Sequence, residues 1–136
     1  MKSTVIDAGP LIALFDRSDA YHKKVSAFMM KYKSRLITTW PVITEAAYFL
    51  SFNAETQCDF YKWIYIGGVE IFGLDRRHLE RIMALTKKYS DIPMDFADAS
   101  LVVLAEEHDL KEIISIDSDF DVYRTLKKVV LKNALR

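Results

Sequence analysis

Short β-branched and apolar runs alternate with longer stretches of helical periodicity, and that alternation leaves few folds open to this chain. The runs centre on Thr4-Val5-Ile6, Leu36-Ile37-Thr38-Thr39, Val69-Glu70-Ile71-Phe72, Glu112-Ile113-Ile114-Ser115-Ile116 and Val129-Val130-Leu131. Between them the spacing predicts helices over residues 10–15, 20–32, 42–52, 56–66, 76–89 and 95–107, with a shorter one ending near residue 126. Strands that alternate with helices pair in parallel, and their crossovers cover both sheet faces. The expected fold is therefore α/β: a three-layer α/β/α arrangement around a central parallel sheet of about five strands. No repeat, linker or low-complexity stretch divides the chain, so residues 1–136 read as a single domain.

Composition removes several function classes. The formal net charge is zero, so nucleic-acid binding does not follow from bulk charge and has to rest on local patches. Cys58 is the only cysteine, which excludes an internal disulfide and fits a reducing compartment. A buried or half-buried, inert thiol is expected there. No apolar run is long enough to span a bilayer and no signal peptide is visible, so a cytoplasmic protein without a membrane partner is expected.

The informative residues are acids standing where the pattern asks for apolar side chains. Asp7 ends the first strand and precedes Ala8-Gly9-Pro10, a sharp turn into a helix in which Gly9 is expected to take an unusual backbone conformation. Asp7 either caps that helix or lies at the carboxyl edge of the sheet, where ligands bind in such folds. Glu45 lies within Val42-Ile43-Thr44-Glu45-Ala46-Ala47-Tyr48-Phe49-Leu50, apolar almost all round; a buried, unpaired carboxylate there would cost several kcal/mol. Asp95 and Asp98 are one turn apart at the start of a helix that looks central, and Asp95 alone would serve as a cap. Asp117 and Asp119 follow the fourth strand, either as an Asp-Ser-Asp turn or at the same sheet edge as Asp7. Carboxylates gathered at one edge need a cation between them. Mg²⁺, or Mn²⁺, suits hard oxygen ligands. Zinc has no His or Cys at ligand spacing, and His22, His78 and His108 are expected on exposed faces.

Four segments carry a resemblance. Val5-Ile6-Asp7-Ala8-Gly9-Pro10-Leu11-Ile12-Ala13-Leu14, Thr44-Glu45-Ala46, Pro93-Met94-Asp95-Phe96-Ala97-Asp98-Ala99-Ser100-Leu101 and Ser115-Ile116-Asp117-Ser118-Asp119-Phe120 resemble, in this order, the acidic motifs of PIN-domain proteins. The nearest branch is the VapC-type toxin ribonucleases of toxin–antitoxin pairs. The resemblance implies an endoribonuclease that hydrolyses RNA phosphodiester bonds with a metal-activated water, leaving a 5′-phosphate and a 3′-hydroxyl. Asp7, Glu45, Asp98 and Asp117 match the family's catalytic and metal-binding acids. Asp119 is a neighbour able to share the fourth role, and Asp95, Thr44 and Ser115 stand in support. The resemblance also implies a homodimer and a groove for an antitoxin.

RNA would still need positive charge, for which Arg124, Lys127 and Lys128 are candidates, with Lys23, Lys24, Lys31, Lys33 and Arg35 as a second patch. Either group reads equally well as a solvated face. Two rivals share the fold class. A haloacid-dehalogenase phosphatase wants a second Asp where Gly9 stands, and a receiver domain wants an Asp directly after Thr39. A third rival is a catalytically silent PIN-like module that binds RNA or protein.

Overall fold

A computed structural model describes residues 3–136. The strands are β1 (Ser3–Ile6), β2 (Arg35–Thr38), β3 (Glu70–Ile71), β4 (Glu112–Ile114) and β5 (Lys132–Asn133). The helices are α1 (Ala8–Phe15), α2 (His22–Lys31), α3 (Trp40–Phe49), α4 (Ala54–Tyr65), α5 (Leu79–Lys88) and α6 (Phe96–His108). All strand pairs among the described residues are parallel, in the order β3-β2-β1-β4-β5. The expected architecture is present: a five-stranded parallel sheet flanked by helices.

β1 lies in the middle because Val5 and Ile6 are wholly buried, with neighbours on both sides: Val5 pairs with Ile37 of β2 and with Ile113 of β4. A parallel strand buried on both faces reads as a continuous apolar run, and this one does. The chain builds outward from β1 to β3, then returns to lay β4 on the other side. That reversal opens a crevice beyond the carboxyl ends of β1 and β4.

α6 is buried from Ala97 through Ala105. A buried hydrogen bond ties its first turns to the sheet: Ser100 Oγ donates to the Ala97 carbonyl, so the 2.6 Å contact with Thr39 Oγ1 has Thr39 as donor. Thr39 follows β2 directly, so this bond sets the start of α6 against the carboxyl edge of the sheet.

Several local expectations are corrected. Gly9 lies inside α1 with no positive φ, and a Cβ there would meet Ile116 at an ordinary 3.5 Å; the turn is absorbed by Asp7, extended at the helix N-cap. The last strand is not 129–131 but Lys132–Asn133. Thr125 and Val129 close a turn, Lys128 is left-handed at φ 60°, and Leu131 packs into the core, because hydropathy marks what packs rather than what pairs. The helix expected after Phe120 is only a 3₁₀ turn, Asp119–Asp121. On α5, Ile82 and Leu85 point inward, while Leu79 and Met83 are exposed. His78 is buried, its Nδ1 accepting from the Asp75 amide and its Nε2 2.9 Å from Glu107. Cys58 is exposed on α4 rather than buried.

Candidate active site

Asp7 is the first residue past β1, so the strand delivers its side chain to the crevice. Its amide continues the ladder by donating to the Ile114 carbonyl at 3.0 Å. Both carboxylate oxygens are engaged: Oδ1 accepts from the Ala8 amide at 2.8 Å, and Oδ2 from the Ser115 hydroxyl at 3.2 Å. The capping role and the edge position therefore coincide. Burial, opposed by these two hydrogen bonds and reinforced by the charges of Asp117 and Glu45, pushes the Asp7 carboxyl up to about 7.

Asp98 reaches the same place from α6. Asp95 caps that helix, its Oδ1 accepting from the Asp98 amide at 2.7 Å, while Asp98 Oδ2 lies 3.4 Å from the Asp95 amide in a reciprocal capping box. Burial, then the charges of Asp95, Asp7 and Asp117, push the Asp98 carboxyl well above the carboxylate range. Glu45, half-buried on α3, is raised by burial and by Asp95 and Asp117. Asp117 Oδ1 accepts from the Asp119 amide at 2.7 Å, and burial followed by the Asp117 charge raises the Asp119 carboxyl.

All six acids line one cavity of about 360 Å³, with Gly9, Ile12, Pro93 and Ile116 between them. Among the described residues, no Lys, Arg or His lines it. The upward shifts are what such a set does without a counter-charge: it holds protons instead. This donor set, hard oxygens alone, fits Mg²⁺ or Mn²⁺. Among the described residues, no three acids stand close enough to enclose an ion by themselves.

Not every expected residue joins the cavity. Ser115 does, through Asp7. Thr44 does not: its hydroxyl donates to the Trp40 carbonyl within α3, and it faces an adjoining apolar shelf of Trp40, Pro41, Phe96 and Ala97 that shares Glu45 and Asp95 with the acid cavity. Arg124 turns its guanidinium onto the carbonyls of Asp121 and Val122. Lys127 pairs with Asp109 at 3.1 Å, just past the far end of α6 and roughly 16 Å along the helix axis from Asp98. Lys128 is exposed on the same turn. Arg35 opens β2 at the opposite sheet edge and pairs with Glu70.

Two residues at the site escaped the sequence reading. Tyr123 is buried, with its hydroxyl 3.4 Å from Asp98 Oδ2 and 3.3 Å from the Pro93 carbonyl. Burial and then the Asp98 charge push that hydroxyl above its ordinary range, so it stays a neutral donor. Asn133 bonds the backbone of Ser115 on both sides. An isolated Tyr or Asn carries no periodic signal; only the fold brings them there.

Comparison with known proteins bears on the fold and the family. A curated relative, ribonuclease VapC26 of Mycobacterium tuberculosis (strain ATCC 25618 / H37Rv), is 24% identical over 115 residues, 83% of this chain and 85% of the relative. Among solved structures, Mycobacterium tuberculosis VapC20, described as a sarcin–ricin-loop-cleaving toxin, superposes with a TM-score of 0.78 at 15% identity, over 88% of this chain and 93% of that one. VapBC2 from Rickettsia felis, bound to a promoter DNA fragment, gives 0.66 at 11% identity, over 97% and 98% of the two chains. A toxin–antitoxin complex from Klebsiella pneumoniae gives 0.63 at 17% identity, over 85% and 88%. These likenesses speak for the fold. The PIN-domain family model matches residues 4–126, which takes in all six acids of the cavity, and by that match the chain belongs to the PIN-domain family.

Proposed function

We propose that this chain, as one domain over residues 1–136, is a divalent-metal-dependent endoribonuclease and the toxin of a toxin–antitoxin pair, acting in the cytoplasm. One observation carries the reading: Asp7, Glu45, Asp98 and Asp117, with Asp95 and Asp119, surround a single cavity to which no Lys, Arg or His among the described residues contributes. Keeping such a set together costs stability, and a binding module has no use for the cost.

Asp7, Glu45, Asp98 and Asp117 are the residues to hold Mg²⁺ or Mn²⁺. When bound, the ion supplies Lewis acidity toward a phosphate oxygen and toward a water. The rest is the work of this chain. Ser115 and the Ala8 amide hold the Asp7 carboxylate in one orientation, and the Asp95 amide and Tyr123 restrain Asp98. Asp119, half-buried in the same cavity and outside that set of four, is placed to exchange a proton with the attacking water. The shelf of Trp40 and Phe96 offers aromatic faces to bases flanking the scissile bond, as single-stranded RNA requires.

A cognate antitoxin and a second copy of the chain are the proposed protein partners. α3 and the turn after it expose the large apolar side chains Trp40, Tyr48, Phe49 and Phe52, with the Tyr48 and Phe49 rings in contact, which suits a partner surface. Leu14, Met29, Met30 and Trp63, from α1, α2 and α4, line an open groove. No helix among the described residues is long and apolar enough to cross a membrane.

The test is to incubate purified protein with structured RNA in Mg²⁺, then with chelator, then with the Asp7→Asn variant. Cleavage in the first condition alone is expected. Cleavage that survives both controls belongs to another site, and no cleavage of any RNA favours a silent binding module.

A further inference from the structure

The structure assigns a role to Asn133: it is a positioning residue for the Asp7 carboxylate, acting through Ser115. The inference rests on the nuclease reading above. β4 and β5 pair in parallel, Glu112 with Lys132 and Ile113 with Asn133, and the last main-chain bond of that ladder runs from the Ala134 amide to the Ile113 carbonyl at 2.8 Å. β1 and β4 pair as far as Ile6 and Ile114, and close with the Asp7 amide on the Ile114 carbonyl. Ser115 is thus the first residue beyond both ladders, at the point where a strand end ordinarily frays.

The Asn133 side chain takes over there. Its Nδ2 donates to the Ser115 carbonyl at 2.8 Å, and its Oδ1 accepts from the Ser115 amide at 3.3 Å. The same Oδ1 accepts from the Leu135 amide at 3.1 Å, which fixes the amide group relative to its own strand. One side chain gives Ser115 the donor and the acceptor that a further strand residue would have given.

What this governs is the Ser115 hydroxyl. Ser115 is buried, and its Oγ has two acceptors within reach, Asp7 Oδ2 at 3.2 Å and the Asp117 carbonyl at 3.4 Å. A small shift of the Ser115 backbone exchanges one for the other. Held by Asn133, the hydroxyl bonds the buried oxygen of Asp7 and fixes the orientation in which that carboxylate meets its ligand. Asn is the residue for this: Asp lacks the donor, Leu lacks both groups, and Gln sets them one methylene further out.

The experiment is a double-mutant cycle between Asn133→Ala and Ser115→Ala, with Ser115→Thr as the conservative variant. It is read in kcat, in KM and, independently of turnover, in Mg²⁺ affinity by calorimetry. Asn133→Ala is expected to lower kcat and Mg²⁺ affinity about 10-fold, as outer-shell partners of metal ligands do, with KM for RNA within about twofold. In the Ser115→Ala background the same change is expected to add nothing, and Ser115→Thr is expected to keep the wild-type response. Effects of the two alanines that multiply, or wild-type kcat and Mg²⁺ affinity in Asn133→Ala, overturn the inference while leaving the nuclease reading intact. If Asn133→Ala melts below the assay temperature, Asn133→Asp keeps the acceptor, loses the donor, and is read in the same cycle. Should wild-type protein cleave no RNA, the nuclease reading fails, and the calorimetric cycle still decides the coupling.

Discussion

Ser115 and Asp7, 108 residues apart in the chain, share a buried hydrogen bond of 3.2 Å from hydroxyl to carboxylate. The bond joins the ends of two adjacent parallel strands and makes the acid part of the sheet's own edge. It also leaves Asp7 facing other acids with no cation among the described residues of the cavity lining, so stability and site are in conflict there.

Asp7→Asn is expected to abolish RNA cleavage and to raise the stability of the metal-free protein. The amide keeps an oxygen for the Ala8 amide and removes a buried charge that Asp117 and Glu45 oppose. At pH 8 the gain is expected at about 1–3 kcal/mol. Urea unfolding of both proteins in chelator measures it; equal or lower stability of the variant removes the conflict.

Stability without metal is expected to fall as pH rises from about 4 to 8. Asp7 holds its proton up to about 7 when folded and only to the ordinary carboxylate range when unfolded. In that window the folded state binds more protons, so its advantage is complete at low pH and is lost as pH climbs through 7. Asp98, raised from the same causes, acts in the same direction. Mg²⁺ in excess is expected to flatten the curve, because a ligand that binds only the folded state stabilises it. Melting temperatures across pH, with and without Mg²⁺, provide the check.

Glu45→Gln and Asp117→Asn are each expected to weaken Mg²⁺ binding by about 10- to 100-fold and to leave the melting temperature in chelator unchanged or higher. Calorimetric titration of folded variants measures this. Unaltered affinity in both would take α3 and the turn after β4 out of the metal site.

Ser100→Ala is expected to cost about 1–2 kcal/mol, because the Thr39 hydroxyl, wholly buried, loses its acceptor. Activity per folded molecule is expected to fall as well, since that bond seats the start of α6, and Asp98 with it, on the sheet edge. Denaturant titration and active-fraction-corrected kcat separate the two effects.

Lys127→Ala is expected to change KM for RNA less than about twofold and to leave its salt dependence alone, whereas removing a lysine that neutralises a phosphate would reduce the slope by about one. The lysine pairs with Asp109 beyond the far end of α6 from Asp98. A flattened salt slope would return this turn to the RNA path.

Much of the fold and of the acid cluster is legible in the sequence. β1 and α6 announced themselves because burial on all sides leaves a continuous apolar run, and an acid inside or at the end of such a run stands out. Asp7 and Asp98 stand out that way; Glu45 sits in an equally apolar run, but that run on α3 includes the exposed Tyr48 and Phe49 and is not buried on all sides. What stayed hidden depended on contacts across long loops. β5 lies at Lys132–Asn133, residues with no strand character, because the partner strand and not local hydropathy selects the register. Tyr123 and Asn133 are ordinary residues until the fold sets them against Asp98 and Ser115. His78 looked exposed among charges, yet it is buried beside Phe72 and takes the Asp75 amide on Nδ1. Thr44 adjoins Glu45 in sequence, yet its hydroxyl turns to the Trp40 carbonyl and away from the cavity.

The sheet order has a consequence for synthesis. A ribosome-bound chain that has been translated only through α6 already contains Asp7, Glu45 and Asp98, but nothing yet occupies the flank of β1 where β4 will dock. Ser115, Asp117 and Asn133 are all made after that point. The acid-lined edge therefore stays unassembled while the polypeptide is elongating, and forms only when the late strands emerge.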